Sequence, residues 1–158
     1  VKALQIAVSS GEEAAYDKWD GGSVMTTRAA SKRAYEEAGI KDPRSEISMM
    51  EVHDCFSITE LCTMEDLWIS PDGGAPDDIL NGFYDLDGQI PCQPDGGLKC
   101  FGHPIGASGI RMIFEMYDQL LGRWPEDRAV KNPKFGLTHN LGGVPNNNVC
   151  SIAIFGVD

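Results

Sequence analysis

Alternating apolar positions at the start of the chain predict its first strand. Leu4, Ile6 and Val8 occupy every second position within residues 1–10, a stretch rich in residues that favour β-structure, and a serine pair and a glycine follow it. The next segment, residues 11–23, is acidic and contains a glycine pair, so we expect a surface loop or a short interrupted helix there.

After Thr26 the spacing of apolar residues changes to that of a helix. Ala30, Ala34 and Ala38 recur at helical intervals, and polar residues fill the other positions. Gly39 ends the run as a C-cap glycine does. Because the apolar side chains of this predicted helix are small, we expect it to pack close to a sheet.

The middle of the chain repeats the order of strand and helix. Residues 47–52 are mostly apolar and predict a short strand, and residues 56–68 carry an apolar stripe that predicts a helix. The long connection over residues 70–94 is dense in glycine, proline and aspartate. Long irregular connections tend to be functional or to lie against a partner, and a solvated surface loop is the alternative.

The last third of the chain predicts one helix and two strands. The helix covers residues 104–121, and the strands cover residues 135–141 and 149–155 with a breaker-rich turn over residues 142–148. This order of elements predicts an α/β fold with a mixed β-sheet covered by helices on both faces. At 158 residues and 42% apolar content, the chain is long enough for a single domain, which we place over residues 1–158.

Charge and cysteine content narrow the classes of partner. The formal net charge of −11 argues against a nucleic-acid or anionic-membrane partner, since either requires a clustered basic face. The sequence shows no apolar run long enough to span a bilayer and no leader or peroxisomal signal, so we expect a cytoplasmic protein. Five cysteines without CxxC or Cys/His ligand spacing favour a reducing compartment and no metal site.

A glycine-rich stretch over residues 96–109 is the first candidate for chemistry. Pro104 suits the first turn of the predicted helix, so His103 is expected at the N-cap or just before it. An imidazole there lies beside free backbone N–H groups, which together with the helix dipole stabilise an anion. A capping or surface histidine is the alternative.

A second candidate cluster lies where the strand over residues 47–52 ends. His53, Asp54 and Cys55 bring an imidazole, a carboxylate and a thiol together at this point. Asp54 is expected to cap the helix that follows rather than to orient His53. For Cys55 the alternative is a small buried apolar residue, the commonest role of a free cysteine. The remaining cysteines are expected to be structural, namely Cys62, Cys92, Cys100 and Cys150.

Three motifs in order resemble the C-terminal half of a thiolase. His53-Asp54-Cys55-Phe56 is the HDCF sequence typical of the sterol-carrier-protein-2 type, where other thiolases usually have Asn-Glu-Ala-Phe. Gly102-His103-Pro104 lies in a Gly-Gly-x-x-x-x-Gly-His-Pro-x-Gly-x-Ser-Gly frame that matches the thiolase pattern. His139-Asn140-Leu141-Gly142 resembles the segment in which this subgroup lacks the Cys-x-Gly motif of other thiolases. The resemblance covers the whole chain and implies a thiolase-like fold.

The resemblance implies an acyl-CoA C-acyltransferase, either a 3-oxoacyl-CoA thiolase or an acetyl-CoA acetyltransferase of lipid metabolism. Such enzymes make or cleave a carbon–carbon bond next to a thioester, with coenzyme A or acyl-CoA as substrate and no bound cofactor. By position in the motifs, His103 is expected to activate the nucleophilic thiol and donate to an oxyanion. His53 takes the place of the Asn that helps to form the same oxyanion hole. Cys55 is assigned to proton transfer at the α-carbon.

Further site residues follow from the same resemblance. Gly142 and Gly143 are expected to offer backbone N–H groups to a second oxyanion, although the sequence after them departs from the glycine-rich continuation of the family. Phe56, Asn140 and Ser108 are expected to bind substrate, with a simple packing role as the alternative for Phe56. His139 is expected to be a structural histidine of the closing strand, with a direct role as the alternative.

The acyl-carrying cysteine of thiolases lies in the N-terminal half, which this sequence lacks. The resemblance therefore implies a partner, either the N-terminal half of the same polypeptide or a separate subunit. It also implies that the isolated chain cannot complete the catalytic cycle. It also implies a homo-oligomer. The alternative functions are a thiolase-like aldolase acting on a CoA thioester with an OB-fold (DUF35-type) partner, and a non-catalytic lipid-binding or scaffold protein.

Overall fold

The first and last strands of the chain are neighbours in one mixed sheet. The computed structural model describes residues 1–10, 22–144 and 147–157. Its strands are β1 (Ala3–Val8), β2 (Met49–Glu51), β3 (Phe135–Val144) and β4 (Asn147–Gly156), in the spatial order β1-β4-β3-β2. β4 runs antiparallel to β1 and β3, whereas β2 runs parallel to β3.

Six helices are described, and they confirm the predicted alternation of strands and helices. They are α1 (Met25–Ala38), α2 (Pro43–Glu46), α3 (Ser57–Asp66), α4 (Ala75–Leu80), α5 (Gly97–Phe101) and α6 (Ser108–Leu120). Within the described ranges, no helix is long and apolar enough to cross a membrane. The loop or interrupted helix expected over residues 11–23 falls almost entirely outside the described residues.

Helix α1 covers one face of the sheet, as its small apolar residues predict. Ala30 and Ala34 are fully buried in one cluster with Ile152 and Ile154 of β4. The helix ends at Gly39, whose φ of 75° is the left-handed conformation that glycine adopts without strain. The short side chains let the helix axis approach the sheet closely.

Helix α6 covers the opposite face, so the prediction of helices on both faces is confirmed. Met116 of α6 packs with Met49 of β2 in a second buried cluster. Gly136 of β3 makes this approach close, because a Cβ atom there would lie 2.5 Å from the sulfur of Met116. This cluster joins the second half of α6 to the first residue of β2.

The α6 side of the sheet is only partly covered. Leu4, Ile6 and Val8 of β1 alternate with the buried residues of that strand and are 67%, 61% and 66% exposed. On α6 and at its C-cap a further row of apolar side chains is exposed, namely Ile110, Ile113, Phe114, Tyr117 and Leu121. We call these two sets of residues the open apolar face.

The glycine-rich stretch differs from its prediction in two ways. It contains the short helix α5, and the helix predicted from residue 104 begins only at Ser108. The carbonyl of Pro104 accepts the N–H groups of Ala107 at 2.8 Å and Ser108 at 3.1 Å, which closes a turn instead. Residues 104–107 are exposed, so no packing offsets the cost of helical conformation at Gly106. His103 therefore does not lie at the N-cap of α6.

The long connection over residues 70–94 is more ordered than its composition predicts. It contains α4, and Arg44 binds Asp78 of that helix through two hydrogen bonds of 2.8 Å. The hydroxyl of Ser70 also donates to Asp78, at 2.7 Å. Local composition does not reveal such long-range ion pairs. The connection between β3 and β4 is shorter than the turn predicted over residues 142–148, because β3 extends to Val144 and β4 begins at Asn147.

Candidate functional site

His53 and His103 come from different loops and meet edge to face. Their ring centroids lie 4.9 Å apart with an interplanar angle of 80°. His53 lies two residues after β2 and is buried, whereas His103 lies two residues after α5 and is exposed. Burial lowers the pKa of His53, and the neighbouring His103 lowers it further. The pair therefore combines an imidazole that stays neutral at neutral pH with one that faces solvent.

The loop of His53 is held by hydrogen bonds on both sides. The side-chain amide of Gln93 donates to the carbonyl of Val52 at 2.7 Å, and its oxygen accepts the backbone N–H of Val52 at 3.2 Å. The backbone N–H of His53 donates to Nδ1 of His139 at 3.4 Å. On the His53 ring, Nδ1 is buried and has no hydrogen-bond partner among the described residues. A buried polar atom without a partner costs stability unless a ligand or water satisfies it.

His103 is oriented by the first residue of α6. Its Nδ1 lies 2.7 Å from the hydroxyl of Ser108, which also lies 3.3 Å from the carbonyl of Pro104. When the single hydroxyl proton is donated to that carbonyl, Nδ1–H of His103 donates to the hydroxyl oxygen. Nε2 of His103 then carries the lone pair and is free to accept a proton. Ser108 thus contacts His103, and its predicted role in substrate binding remains untested.

Asp54 caps a helix, but not the helix that the sequence indicates. Its carboxylate accepts the N–H groups of Leu98 at 2.7 Å and Lys99 at 3.4 Å, both in α5. Phe56 precedes α3, and no side chain caps that helix. Gly97 permits the close approach, since a Cβ atom there would lie 2.5 Å from Asp54 Oδ2. Asp54 therefore ties the loop of His53 to the stretch that leads into His103.

Cys55 is exposed at a cavity of about 330 Å³ beside His53. Its lining includes Phe56, Cys62 and Gly143, and none of the lining residues in the described ranges carries a formal charge. In this chain the Cys55 thiol therefore lies at the surface and not in the core. By contrast, burial raises the pKa of Cys62, and it raises the pKa of Cys150 to about 12, so both thiols stay protonated at neutral pH.

The other residues predicted to bind substrate are dispersed around the pair of histidines. Phe56 lies at the rim of the cavity and is 69% exposed. Asn140 is on β3, where a Cβ atom on Gly109 would lie 3.4 Å from its side chain. Gly142 and Gly143 are exposed residues of β3 opposite Val149 and Asn148 of β4. Their roles as oxyanion donors stay predictions.

Sequence reasoning missed a buried ion-pair cluster below the two histidines. Arg111 of α6 contacts Glu51 of β2 at 3.1 Å and also pairs with Asp95. Its guanidinium lies 5.2 Å from the ring centre of Phe101, two residues before His103. Burial raises the pKa of Glu51 to about 8, although Arg111 opposes this shift. The available signal was an arginine close behind the glycine-rich motif, in the first turn of an amphipathic helix.

No metal ligand set accompanies these groups. Among residues 1–10, 22–144 and 147–157, no three histidine, cysteine or acidic side chains are arranged so that they could hold a metal ion. The chemistry available at the pair is proton transfer through imidazole and thiol, and hydrogen bonding to a negatively charged oxygen.

Comparison with known proteins assigns the chain to a family. The sequence model of the family described as "Thiolase C-terminal domain-like" matches residues 8–155. The chain belongs to this thiolase family. The sequence resemblance and the α/β fold inferred from the sequence are therefore confirmed.

Two of the relatives of this thiolase domain are an acetyltransferase and a sterol carrier protein. An acetyl-CoA acetyltransferase of Methanothermobacter thermautotrophicus is 38% identical over 137 residues, which are 87% of this chain and 35% of the relative. A sterol carrier protein 2 of Oryctolagus cuniculus is 38% identical over 116 residues, which are 73% of this chain and 21% of the relative. The chain thus spans about a third or less of these two relatives.

A solved structure supports the fold. The chain named "Ltp2-ChsH2(DUF35) aldolase" superposes with a TM-score of 0.74 and 21% sequence identity, over 94% of this chain and 38% of that one. The TM-score shows that the two chains share a fold, and an identity of 21% leaves the reaction open.

Proposed function

We propose that this domain contributes one half of the active site of an acyl-CoA C-acyltransferase, a 3-oxoacyl-CoA thiolase or acetyl-CoA acetyltransferase. The observation that carries the proposal is the edge-to-face pair of His53 and His103 with the exposed thiol of Cys55 beside it. The family assignment and the names of its relatives agree with this chemistry. The substrate would be an acyl-CoA thioester.

The reaction needs a nucleophilic thiolate and a proton carrier. In the cleavage direction, the thiol of the nucleophile gives its proton to His103, and the thiolate attacks the 3-oxo carbon. The C2–C3 bond then breaks, and its electron pair passes into an enolate whose oxygen is the thioester oxygen. Cys55 donates its proton to C2, which releases acetyl-CoA and leaves the shortened acyl group as a thioester on the nucleophile. Free CoA then gives its thiol proton to Cys55 and attacks this thioester, so that the shortened acyl-CoA leaves and the nucleophile regains its proton from His103. In synthesis the same steps run backward.

His53 and His103 would stabilise the enolate oxygen. Its negative charge develops only along the reaction, so N–H donors fixed beforehand favour the transition state over the bound substrate. The buried Nδ1 of His53 has no partner among the described residues, which fits a group that awaits a substrate oxygen or an ordered water. The apolar cavity beside Cys55 would receive the acyl group.

The nucleophile would come from the part of the enzyme that the relatives possess and this chain lacks. The acetyltransferase relative is about three times as long as the matched region, which covers 35% of it. The open apolar face offers such a part a docking surface: Ile110 and Phe114 on α6 are 70% and 55% exposed. We propose that the N-terminal thiolase half covers this face, as part of the same polypeptide or as a separate subunit.

The test is steady-state thiolysis of 3-oxoacyl-CoA by the complete protein. His103→Ala and Cys55→Ala are expected to lower kcat by roughly 100-fold or more each. Cys100→Ala is the matched control, because this thiol is also exposed but does not line the cavity, and its activity is expected to match that of the unmodified protein.

Two results would overturn the proposal. Carbon–carbon cleavage that survives both substitutions would favour a scaffold or lipid-binding role. Release of an aldehyde or ketone without consumption of free CoA would identify an aldolase instead.

A further inference from the structure

His139 lies directly behind His53 and completes the set of three histidines in the chain. It is fully buried on the α1 side of β3. Its Nδ1 accepts the backbone N–H of His53 at 3.4 Å, and its Nε2 lies 3.1 Å from the hydroxyl of Thr27 in α1. No step of the proposed reaction uses this imidazole.

The position of His139 explains how the chain leaves the sheet. β2 pairs with β3 at Met49, Met50 and Glu51, whose partners end at Thr138. His139 is the next residue along β3, and there the pairing of β3 with β2 has stopped, while the pairing of β3 with β4 continues. Its side chain supplies the acceptor that the ladder no longer offers to the buried N–H of His53. The backbone can therefore turn toward His103 without leaving a buried donor unpaired.

The hydrogen bonds allow only one tautomer of His139. A backbone N–H is always a donor, so Nδ1 must carry the lone pair and Nε2 the proton. Nε2–H then donates to Thr27 Oγ1, and that hydroxyl is free to donate to the sulfur of Cys150, 3.6 Å away. A proton on Nδ1 would face the N–H of His53. Burial and the nearby His53 lower the pKa of His139 to about 3, in agreement with a permanently neutral ring.

We propose that His139 is a positioning residue that fixes the backbone of His53 and so holds the His53 ring against His103. It touches no reacting atom and acts through the neutral tautomer that accepts from the backbone. Its kinetic consequence rests on the proposed function, whereas its hydrogen bond can be observed by spectroscopy without any assumption about the reaction.

The test compares two amide replacements of the same ring in the complete protein. In His139→Asn, the side-chain oxygen can take the place of Nδ1 and accept from His53. In His139→Gln, the amide reaches instead toward the place of Nε2 and Thr27. Both variants remove the buried imidazole ring and therefore lose similar packing, so a difference between them reports on the hydrogen bond. We expect kcat for thiolysis to fall roughly 10- to 100-fold in the Gln variant and only a few-fold in the Asn variant, with KM nearly unchanged.

Nitrogen NMR of 15N-histidine-labelled complete protein supplies the independent readout. His139 is expected to show an unprotonated Nδ1 and a protonated Nε2 throughout the pH range in which the protein is folded. The ring signals of His53 are expected to move in His139→Gln and to stay near their original positions in His139→Asn. If the Gln variant fails to fold, Thr27→Val takes its place, because it removes the acceptor of Nε2–H and frees the ring of His139 to shift away from the backbone of His53. The ring signals of His53 are then expected to move in Thr27→Val and to stay near their original positions in Thr27→Ser.

Each outcome decides the matter. Equal losses of kcat in the Asn and Gln variants, or no loss in either, would overturn the positioning role and leave the proposed function intact. A complete protein that cleaves no 3-oxoacyl-CoA would overturn the proposed function alone. Even then, the ring signals of His53 would support the hydrogen bond between His53 N–H and His139 if they move in the Gln variant and stay in place in the Asn variant. Any other pattern of these signals would refute that hydrogen bond.

Discussion

His53 and His103 lie in contact, yet their surroundings suit different tasks. Burial and the neighbouring ring lower the pKa of His53, so it remains a neutral hydrogen-bond donor under physiological conditions. His103 is exposed beside Ser108, and in one of its two tautomers Nε2 is free to accept a proton. Such a division between donor and base is typical of sites in which one group stabilises charge and another moves a proton.

A first prediction concerns the donor at position 53. His53→Asn keeps an N–H donor, and other thiolases usually have Asn there, so kcat for thiolysis is expected to stay within roughly tenfold of the original. His53→Leu fills the space without a donor and is expected to cost roughly 100- to 1000-fold in kcat. Steady-state kinetics of the complete protein measure both. Equal activity in the two variants would show that position 53 gives no hydrogen bond to the transition state.

A second prediction uses the neutral state of His139. Its pKa is about 3 in the folded protein and about 6.5 in an unfolded chain, so the unfolded state binds more protons between these values. The free energy of unfolding therefore falls as the pH drops from 6.5 toward 3, by about 3 kcal/mol from this residue between pH 7 and pH 4.

The measurement is chemical denaturation of the complete protein and of His139→Asn at pH 7, 6, 5 and 4. The variant has no imidazole to protonate at this position, so the difference in unfolding free energy between the two proteins should shrink as the pH falls. Other titrating groups are common to both proteins and cancel. A difference that stays constant with pH would contradict a buried neutral His139.

Among the secondary-structure elements, the short helix α5 connects the two histidine loops. Asp54 accepts hydrogen bonds from its first turn, and Phe101 at its end lies against Arg111 of α6. A five-residue helix is unstable in isolation, so its geometry depends on these tertiary contacts. The arrangement couples the loop after β2 to the segment that carries His103.

A third prediction tests this cap. Asp54→Ala removes the acceptor for the N–H groups of Leu98 and Lys99 and is expected to lower the unfolding free energy by about 1–2 kcal/mol. It should also lower kcat, because α5 leads into His103. Asp87→Ala serves as the control, since Asp87 is exposed and lies outside both histidine loops. Denaturation and kinetics of the complete proteins give the comparison, and equal stability of the two variants would refute the capping role.

In the molecule as a whole, helices cover one face of the sheet more completely than the other. On the α1 side, helices α1, α3 and α4 contribute buried residues to one apolar cluster. On the other side, α6 packs against β2 and β3, and the β1 side chains Leu4, Ile6 and Val8 remain exposed. The open apolar face is therefore the surface where a further layer of the enzyme would pack.

A fourth prediction follows from this asymmetry. Phe114→Glu introduces a charge on the open apolar face and is expected to lower the melting temperature of the complete protein by several degrees, since it would be buried there. Leu80→Glu is the matched control, because Leu80 is 83% exposed on α4, away from that face, and should have little effect. Equal effects of the two substitutions would show that the N-terminal half does not cover α6.

The sequence by itself determined much of this protein through local physics. The alternation of Leu4, Ile6 and Val8 specified a strand, the spacing of Ala30 and Ala34 specified a helix, and the HDCF and GHP motifs indicated the family. Each of these signals is carried by residues close together in the chain, where periodicity and motif spacing operate.

Only the tertiary structure decided which distant groups meet. Asp54 caps α5 and not the adjacent α3, and Arg111 finds Glu51 sixty positions earlier in the chain. The role of His139 depends on the place where the pairing of β2 with β3 stops. Hydrogen bonds and ion pairs of this kind depend on distances in space that no local pattern encodes, because a folded backbone brings together residues whose separation along the chain is arbitrary.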